Sequence, residues 1–321
     1  MRVLLATYPF AADDPAPRRL LEETGWEIVP NPHGRRLKAG EMDTILTDMD
    51  GVIAGTEPYK GDVIKRHAGR LKVIARVGIG LDNVELPVAR EAGVAVTYTP
   101  EAPSRGVAEL AVGQMIALAR HVYASDRSVR EGAWNRLMGW LLSERRIGLL
   151  GLGRIGKLVY QLLQPFGAEI LACDIAPDLD FVRRHNVKLV PADELFRQCD
   201  LVSVHIPLNK RNRHFVNREK LALMKTGSFL INTARGPVVD EEALTDALLQ
   251  KHLGGAALDV FEKEPYEGVL TELDNVVLTA HMGASARRCR KDMEFQATED
   301  CIRVLKGEPP LRPVPPEEYD A

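Results

Sequence analysis

Short apolar segments alternate with helical stretches along most of the sequence, and this alternation constrains the fold more than any other feature. In residues 1–100, strands are predicted at Val3–Ala6, Glu27–Val29, Thr44–Leu46, Val52–Ala54, Val73–Ala75 and Val94–Val96. Strands separated by helices pair in parallel, and the helices cover both faces of the sheet. The sequence therefore predicts an α/β fold built on a doubly wound parallel sheet.

The alternation breaks at Pro100 and Pro103, because prolines this close together stop any regular element. A candidate crossover between two domains lies here. A long helix is predicted to follow from Ser104, its cap, as far as Val122, since apolar residues recur at spacings of three and four. Further strands are predicted at Ile147–Leu150, Glu169–Cys173, Leu189–Val190, Leu201–Val204, Ser228–Ile231, Gly254–Leu258 and Val276–Leu278. They predict a second doubly wound sheet, and the tail from Pro309 to Ala321 is predicted to be a surface or frayed extension.

Composition argues against several classes of function. The formal net charge is -3, with acidic and basic residues mixed along the chain, so we expect no nucleic-acid partner. No apolar run approaches the roughly 20 residues that span a bilayer, and Met1–Thr7 lacks an export signal. The scattered cysteines have no metal-ligand spacing, and they are Cys173, Cys199, Cys289 and Cys301. We therefore expect a cytoplasmic globular protein with reduced thiols, no membrane partner and no metal.

The strand predicted at Ile147–Leu150 leads directly into a glycine-rich turn with Gly151, Gly153 and Gly156 in the pattern GxGxxG. Gly151 permits a tight turn, Gly153 lets the backbone approach a pyrophosphate, and Gly156 allows close helix packing. The positive end of the following helix would face the phosphates. Methyltransferases and chance turns share this pattern. The strand before it and the helix after it favour a dinucleotide-binding domain.

A carboxylate follows the next predicted strand. Asp174 lies 18 residues past Gly156, where an acid would hold the hydroxyls of the adenosine ribose. The alternative is a solvated aspartate in a turn. If the functional interpretation holds, a 2′-phosphate at about 4 Å would be repelled by roughly 4 kcal/mol per charge pair at an effective dielectric near 20. The sequence therefore predicts NAD rather than NADP as the cofactor.

Three later segments each place a reactive group just after an apolar strand, where open α/β sheets build their sites. They supply Arg235, Glu264 and His281. A guanidinium binds a carboxylate in a bidentate manner, an imidazole exchanges protons near neutral pH, and an acid beside it favours the imidazolium. Singly, each residue has a structural alternative: a helix cap, a surface acid or a structural histidine. Together they predict reduction of a 2-oxo acid, or the reverse oxidation.

With these residues the sequence resembles the D-isomer-specific 2-hydroxyacid dehydrogenase family, especially D-3-phosphoglycerate dehydrogenase-like members without a regulatory domain. The resemblance covers nearly the whole chain and is carried by Leu71–Val84, Gly151–Gly156, Asn232–Gly236, Asp259–Pro265 and Leu278–Gly283. It implies that Arg235, Glu264 and His281 are catalytic. It also implies a Rossmann NAD-binding domain, residues 101–284, inserted into a flavodoxin-like substrate domain formed by residues 1–100 and 285–321.

The resemblance implies further site residues and a partner. The cofactor site would include Gly151, Gly153, Arg154, Ile155, Gly156, Asp174, Ile206, Pro207, Thr233, Ala234, Asp259, Gly283 and Ala284. The substrate would meet Gly55, Thr56, Arg76, Val77, Gly78, Ile79 and Gly80, with backbone amides around Ile79 and Gly80 on its carboxylate. Family members are usually homodimers, and Trp134 resembles the residue that crosses the interface. The alternative for Trp134 is packing in the core.

Two departures from the family pattern bear on the substrate. Many phosphoglycerate enzymes carry an Arg-Ser pair where this chain has Ala54-Gly55-Thr56-Glu57, so an acid stands where a cation would help. Candidates to compensate are Lys60, Arg76 and the cluster of Arg287, Arg288 and Arg290. The segment Trp140–Arg146 also lacks the glycine-bearing turn usual before the fingerprint. The identity of the 2-hydroxy acid stays open.

Two other classes of function are weighed against a dehydrogenase. One is an NAD(H)-sensing, corepressor-like binding protein of the same fold, which sequence alone does not separate from an enzyme. The other is a methyltransferase that uses the glycine-rich turn. A methyltransferase would leave Arg235, Glu264 and His281 without a task, so a dehydrogenase is the leading hypothesis.

Overall fold

The computed structural model describes residues 1–319. It divides the chain into two compact units, one made of Met1–Pro103 and the chain from Ala284 onward, the other of Ser104–Gly283. The second unit is continuous in sequence and interrupts the first. Each unit contains one parallel sheet with helices on both faces, which confirms the predicted class of two doubly wound α/β domains.

The first unit begins with five strands and four helices in alternation. They are β1 (Arg2–Leu5), α1 (Ala16–Glu22), β2 (Glu27–Pro30), α2 (Ala39–Ile45), β3 (Gly51–Ala54), α3 (Gly61–His67), β4 (Val73–Arg76), α4 (Leu86–Glu91) and β5 (Ala95–Thr97). The parallel strand order is β2-β1-β3-β4-β5. The order reverses between β1 and β3. In sheets of this type ligands bind at the carboxyl ends of the strands beside such a reversal.

Alternate residues of these strands enter different cores, as the two-residue period of a strand requires. Leu4, Val52 and Ile74 belong to one apolar cluster, and Val3 and Ile53 belong to the other. Strands β3 and β4 are buried along their whole length. Because both faces of these strands are buried, their sequences are continuously apolar.

One predicted strand is wrong. Thr44 and Ile45 end helix α2, and Leu46 follows as its C-cap. The three-residue segment is too short to show whether its apolar residues repeat with the period of a strand or of a helix. Met42 and Leu46, one helical turn apart, are both buried. The start of α2 is fixed by Glu41, whose carboxylate accepts a hydrogen bond from the N–H of Lys38.

The second unit contains seven helices and seven strands. The helices are the seven from α5 to α11, and short 3₁₀ turns are not counted among them. In chain order the elements are α5 (Ser104–Ala119), α6 (Val122–Arg130), β6 (Arg146–Leu150), α7 (Arg154–Leu163), β7 (Glu169–Cys173), α8 (Leu179–His185), β8 (Lys188–Leu189), α9 (Ala192–Gln198), β9 (Leu201–Val204), α10 (Arg218–Leu223), β10 (Phe229–Asn232), α11 (Glu241–Leu249), β11 (Gly255–Leu258) and β12 (Val276–Leu278). The parallel order is β12-β11-β10-β9-β6-β7-β8. The order reverses between β6 and β9, beside the glycine-rich turn.

The helix predicted from Ser104 to Val122 is two helices. Helix α5 ends at Ala119, and Val122 begins α6. His121 between them has a left-handed backbone, with φ of 51°, which ends the regular helix although the apolar spacing continues. A residue in this conformation carries no clear signal in the sequence.

The chain returns to the first unit through α12 (Arg287–Leu305). Its Met293, Ala297 and Cys301 join the apolar cluster of Val3 and Ile53. Beyond this helix, Val314 is buried and Pro313 forms an antiparallel bridge with Thr97. The predicted tail is therefore anchored rather than frayed at this point, because Val314 fills the core. Its last residues, Asp320 and Ala321, lie outside the described residues.

Two negative findings hold for the described part of the chain. None of the helices within residues 1–319 combines the length and apolar character needed to cross a bilayer. No group of three or more histidine, cysteine or acidic side chains in the same range is arranged to hold a metal ion.

Candidate active site

The glycine-rich turn lies between β6 and α7 of the second unit. Gly151 has φ of 100°, and a Cβ there would come within 2.7 Å of the His205 carbonyl oxygen. A Cβ at Gly156 would overlap with the Gly151 carbonyl. A Cβ at Gly153 would meet no described atom within 4 Å, so the backbone there has room beside it. Two of the glycines are thus required by packing, and the third leaves the space that a pyrophosphate needs.

Asp174 directly follows β7 and is fixed towards the glycine-rich turn. Its Oδ2 accepts a hydrogen bond of 2.6 Å from the N–H of Leu152, and its Oδ1 accepts one of 2.8 Å from Ala176. Each carboxylate oxygen has a second lone pair, so Asp174 can still accept from the hydroxyls of a ribose. The residues present therefore fit a dinucleotide.

The other predicted cofactor residues lie at the beginning of α7 or follow parallel strands. Arg154 and Ile155 begin α7, Ile206 and Pro207 follow β9, Thr233 and Ala234 follow β10, Asp259 follows β11, and Gly283 ends the second unit. Parallel strands end at one edge of the sheet, so the second unit brings these residues to a common edge. Ala284 belongs to the first unit, where it packs on the cluster that includes Val3.

The turn after β10 is held by Asn232, which is buried. Its Oδ1 accepts from the N–H of Ala234 at 3.0 Å, and its Nδ2 donates to the Arg235 carbonyl at 2.9 Å. Next to it the Thr233 hydroxyl is buried with no hydrogen-bond partner within residues 1–319. A buried hydroxyl without a partner is costly, and at this edge a bound cofactor could supply the partner.

Glu264 and His281 form a hydrogen-bonded pair. Oε2 of Glu264 lies 2.8 Å from Nδ1 of His281, and its Oε1 accepts from the Phe261 N–H at 3.2 Å. Burial favours the neutral acid. Other interactions outweigh burial and lower the pKa of Glu264. They are the hydrogen bond and charge of His281, the hydrogen bond from the Phe261 N–H and the charge of Arg235. The carboxylate therefore stays ionised at neutral pH beside the imidazole.

The loop that carries His281 is organised by Asp259, a role that the sequence did not reveal. His281 has an uncommon left-handed backbone, with φ of 50°. Asp259 is 1% exposed, and its two oxygens accept from Thr279 Oγ1 at 2.5 Å, Met282 N at 2.9 Å and Gly283 N at 2.8 Å. Its carbonyl accepts from the His281 N–H. The family resemblance implied a cofactor contact for Asp259 instead, and an acid at a strand end was the available signal.

Close backbone contact joins the loops of Arg235 and Glu264. A Cβ at Gly236 would overlap with the backbone of Phe261. Only glycine therefore allows the turn after Arg235 to lie against the segment that contains Glu264. The second unit thus brings together the loops of all three predicted catalytic residues, since Gly236 contacts Phe261 and Glu264 contacts His281.

A second histidine follows a strand of the same sheet but does not suit proton transfer. Burial lowers the pKa of His205 to about 4, and its Nε2 is buried without a hydrogen-bond partner in the described chain. His205 is therefore neutral at neutral pH. His281, with a carboxylate on Nδ1, is the better proton donor.

The predicted substrate residues lie in the first unit. Gly55 and Thr56 follow β3, and Arg76 ends β4 before Val77–Gly80. The Arg76 guanidinium is buried and donates to the carbonyls of Val77 and Gly80 and to Asn83 Oδ1. Gly78 has φ of 146°, and its N–H donates to Thr99 Oγ1. These contacts show that Arg76 holds the loop, while its predicted contact with substrate stays a prediction.

Trp134 is not a core residue. It is 81% exposed and lies in a segment where Leu137, Met138 and Leu141 are also exposed. The alternative of core packing is therefore wrong. The segment that follows, Trp140–Arg146, makes a short 3₁₀ turn at Leu142–Glu144 before β6, without the glycine usual in the family.

Comparison with known proteins agrees with this geometry. Residues 112–283 match the family model described as D-isomer specific 2-hydroxyacid dehydrogenase, NAD binding domain. A hydroxypyruvate reductase of Thermotoga maritima is 37% identical over 94% of this chain and 99% of its own length. A D-3-phosphoglycerate dehydrogenase of Methanocaldococcus jannaschii is 39% identical over 90% of this chain, which spans 55% of that protein. The structure of the TT0316 protein from Thermus thermophilus has 35% identity and a TM-score of 0.88, covering 98% of this chain and 100% of that one.

The fold, the glycine-rich turn and the matches to known proteins define an oxidoreductase with a Rossmann domain that binds NAD. The chain belongs to the D-isomer-specific 2-hydroxyacid dehydrogenase family. It is accordingly an NAD-dependent dehydrogenase of D-2-hydroxy acids.

Proposed function

We propose that the protein interconverts a short 2-oxo acid and its D-2-hydroxy acid through Arg235, Glu264 and His281. The observation that carries this proposal is the 2.8 Å hydrogen bond between Glu264 and Nδ1 of His281, on the unit that also carries Arg235. Bound NADH supplies the hydride. The side chains then have to bind the acid and move one proton.

Each side chain has one task in this proposal. Arg235 binds the substrate carboxylate, because a guanidinium is always charged and matches a carboxylate in shape. Nδ1 of His281 is engaged by Glu264, so His281 donates its proton from Nε2 to the oxygen that forms on C2. Glu264 is a positioning residue that holds the ring of His281 in one orientation through Nδ1. In the oxidation direction His281 takes the proton back.

We also propose the substrate contacts of the first unit. The amides of Ile79 and Gly80 bind the substrate carboxylate, and the turn at Gly55 and Thr56 contacts the group on C3. The loop is well suited to this because Arg76 and Thr99 fix its backbone. Hydroxypyruvate and 3-phosphohydroxypyruvate, the substrates that the names of the two relatives suggest, are three-carbon 2-oxo acids with oxygen on C3. We propose this substrate class.

We make two further proposals, one about assembly and one about location in the cell. We propose a homodimer that covers the exposed side chains of Trp134, Leu137, Met138 and Leu141. We also propose a cytoplasmic location, a reducing compartment in which the free thiols of all four cysteines are stable. The NAD(H)-sensing alternative gains no support from the site or from the related proteins, so it is not proposed.

The experiment that tests the catalytic assignment is the substitution His281→Ala. Loss of a general acid should lower kcat for hydroxypyruvate reduction by about 10² to 10⁴. NADH affinity, measured by fluorescence titration, should change little. His33→Ala replaces an exposed histidine of the first unit and is the matched control. Turnover of His281→Ala within threefold of the unmodified enzyme would contradict the proposal.

A further inference from the structure

The turn after β3 lies at the point where the strand order of the first unit reverses. Thr7 comes shortly after β1, and Gly55, Thr56 and Glu57 follow β3. A Cβ at Gly55 would come within 3.1 Å of Thr7 Oγ1, so the two strand ends are in contact. This is where sheets of the order 2-1-3-4-5 bind ligands.

Glu57 places a buried carboxylate in this turn. It is 1% exposed, and its Oε1 accepts from the Gly55 N–H at 2.6 Å and from Tyr59 Oη at 2.8 Å. Its Oε2 lies 2.7 Å from the position of a Cβ on Gly55. Burial and the charge of Glu57 raise the pKa of Tyr59 well above its usual value, so the phenol keeps its proton and donates it. Both hydrogen-bond donors to Glu57 are therefore neutral.

Four of the five cations that the sequence offered to balance this charge have acidic partners of their own. Those ion pairs join Lys60 to Glu85, Arg287 to Asp13, Arg288 to Asp292 and Arg290 to Glu294. Arg290 contacts the end of β1, with its Nη2 3.0 Å from Thr7 Oγ1, but its Nε lies 2.6 Å from the buried Glu294. These four cations are thus directed to other acids than Glu57, and the fifth candidate, Arg76, donates to the Val77 and Gly80 carbonyls and to Asn83 Oδ1.

One further cation touches the turn, and it was not among the candidates named from the sequence. Nη2 of Arg36 donates to the Thr56 carbonyl at 2.6 Å. Arg36 is exposed, so solvent and salt screen its charge. The Glu57 carboxylate is buried, and screening there is weaker. A ligand group at this turn therefore meets a strong hydrogen-bond acceptor and a screened donor.

We infer that Glu57 is a specificity-determining residue that selects a 2-oxo acid with an uncharged hydroxyl on C3 and rejects a phosphate ester there. This inference rests on the proposed function. A hydroxyl can donate to Glu57 and accept from Arg36. A phosphate has only acceptor oxygens and a charge of the same sign as Glu57, so its binding at Gly55 and Thr56 is repelled.

The test is the substitution Glu57→Gln, which keeps an oxygen for Gly55 and Tyr59 and removes the charge. The measured quantity is kcat/KM for hydroxypyruvate and for 3-phosphohydroxypyruvate. The unmodified enzyme should prefer hydroxypyruvate, and Glu57→Gln should shift the ratio towards the phosphorylated acid by at least about tenfold. Asp300→Asn, which neutralises another buried acid of this unit, is the control and should leave the ratio unchanged.

A second variant tests the inference independently, in case Glu57→Gln does not fold. Thr56 is exposed, so Thr56→Arg adds a cation at the turn without disturbing the core, and Thr56→Gln controls for size. Thr56→Arg alone should shift the ratio towards the phosphorylated acid. A preference of the unmodified enzyme for 3-phosphohydroxypyruvate, lost in Arg36→Gln, would overturn the inference. An equal effect of Glu57→Gln on both substrates would also overturn it.

Calorimetric titration separates this inference from the proposed function. D-glycerate and 3-phospho-D-glycerate are titrated into the NAD complex of the unmodified protein and of Glu57→Gln, with no turnover required. Tighter binding of the phosphorylated acid to the variant alone, by at least about tenfold, supports the role of Glu57 even if no turnover is seen. Turnover of hydroxypyruvate without this change in binding would leave the proposed function intact and contradict the inference.

Discussion

At the scale of single residues, Glu264 shows how one carboxylate can serve both the loop and the reaction. One oxygen accepts from the Phe261 N–H and the other contacts His281. The pKa of Glu264 is lowered although burial opposes this. A lowered pKa means that the folded state favours the carboxylate, so the stabilising contact is fully present above about pH 4.5 and is lost as pH falls below it.

Glu264→Gln should therefore alter the pH dependence of reduction. Gln carries no charge and does not titrate, so the loss of rate that protonation of Glu264 causes at acidic pH should be absent, and kcat should fall by about 10- to 100-fold because the imidazole is held less firmly. Rate profiles between about pH 3 and pH 9 measure this. Glu267→Gln, an exposed acid of the same segment, is the control. An unchanged profile in Glu264→Gln would contradict the assigned role.

Asp174 carries the prediction about cofactor choice. Asp174→Asn removes the charge that would repel a 2′-phosphate and keeps an oxygen for the ribose. The ratio of kcat/KM with NADPH to that with NADH should rise by at least about tenfold. Asp180→Asn alters a nearby exposed acid and should leave the ratio unchanged. Equal use of both cofactors by the unmodified enzyme would contradict this account.

What the sequence could predict at this scale depended on residue type and position after a strand. Arg235, Glu264 and His281 could be proposed because each reactive group follows an apolar run. The positioning role of Asp259 and the backbone contact at Gly236 could not, because both depend on how two loops distant in sequence meet. A sequence pattern describes one segment of the chain, whereas the roles of Asp259 and Gly236 depend on contacts between two segments.

At the scale of elements, strands with long apolar runs were predicted well and ambiguous short runs were not. Strands β6, β7 and β9 are bounded by turn residues and buried on both faces. The segment Thr44–Leu46 has too few residues to separate a strand from the buried end of a helix, and it proved helical. The break at His121 depends on a backbone conformation that apolar spacing does not report.

The end of β9 carries a prediction about stability. Burial lowers the pKa of His205 to about 4, below its value of about 6.5 in an unfolded chain. Between these values only the unfolded state binds the proton, so the free energy of unfolding should fall by up to about 3 kcal/mol as pH is lowered from about 6.5 to 4.

Urea unfolding at a series of pH values checks this prediction. His205→Asn should unfold with a weaker dependence on pH across that range, whatever its absolute stability. His33→Asn, at an exposed position, should keep the full dependence. An identical pH dependence in His205→Asn and the unmodified protein would show that another group is responsible.

At the scale of the whole molecule, the exposed segment around Trp134 is a feature that the fold of one chain leaves unexplained. Trp134 and Met138 are 81% and 89% exposed. Large apolar side chains that are exposed together mark interaction surfaces. The proposed homodimer would bury them.

Substitution of this segment tests the assembly. The double variant Trp134→Ser, Met138→Ser should sediment as a monomer at concentrations where the unmodified protein is a dimer. Phe166→Ser, which removes an exposed aromatic side chain elsewhere in the second unit, should remain a dimer. Sedimentation of the unmodified protein as a monomer throughout would contradict the proposed homodimer.

The most direct measurement follows the hydride itself. Hydroxypyruvate is reduced by the enzyme with NADH deuterated at both C4 positions, and the glycerate formed is analysed by mass spectrometry and chiral chromatography. We expect D-glycerate with one deuterium on C2. An L-configured product, or glycerate without deuterium on C2, would contradict it.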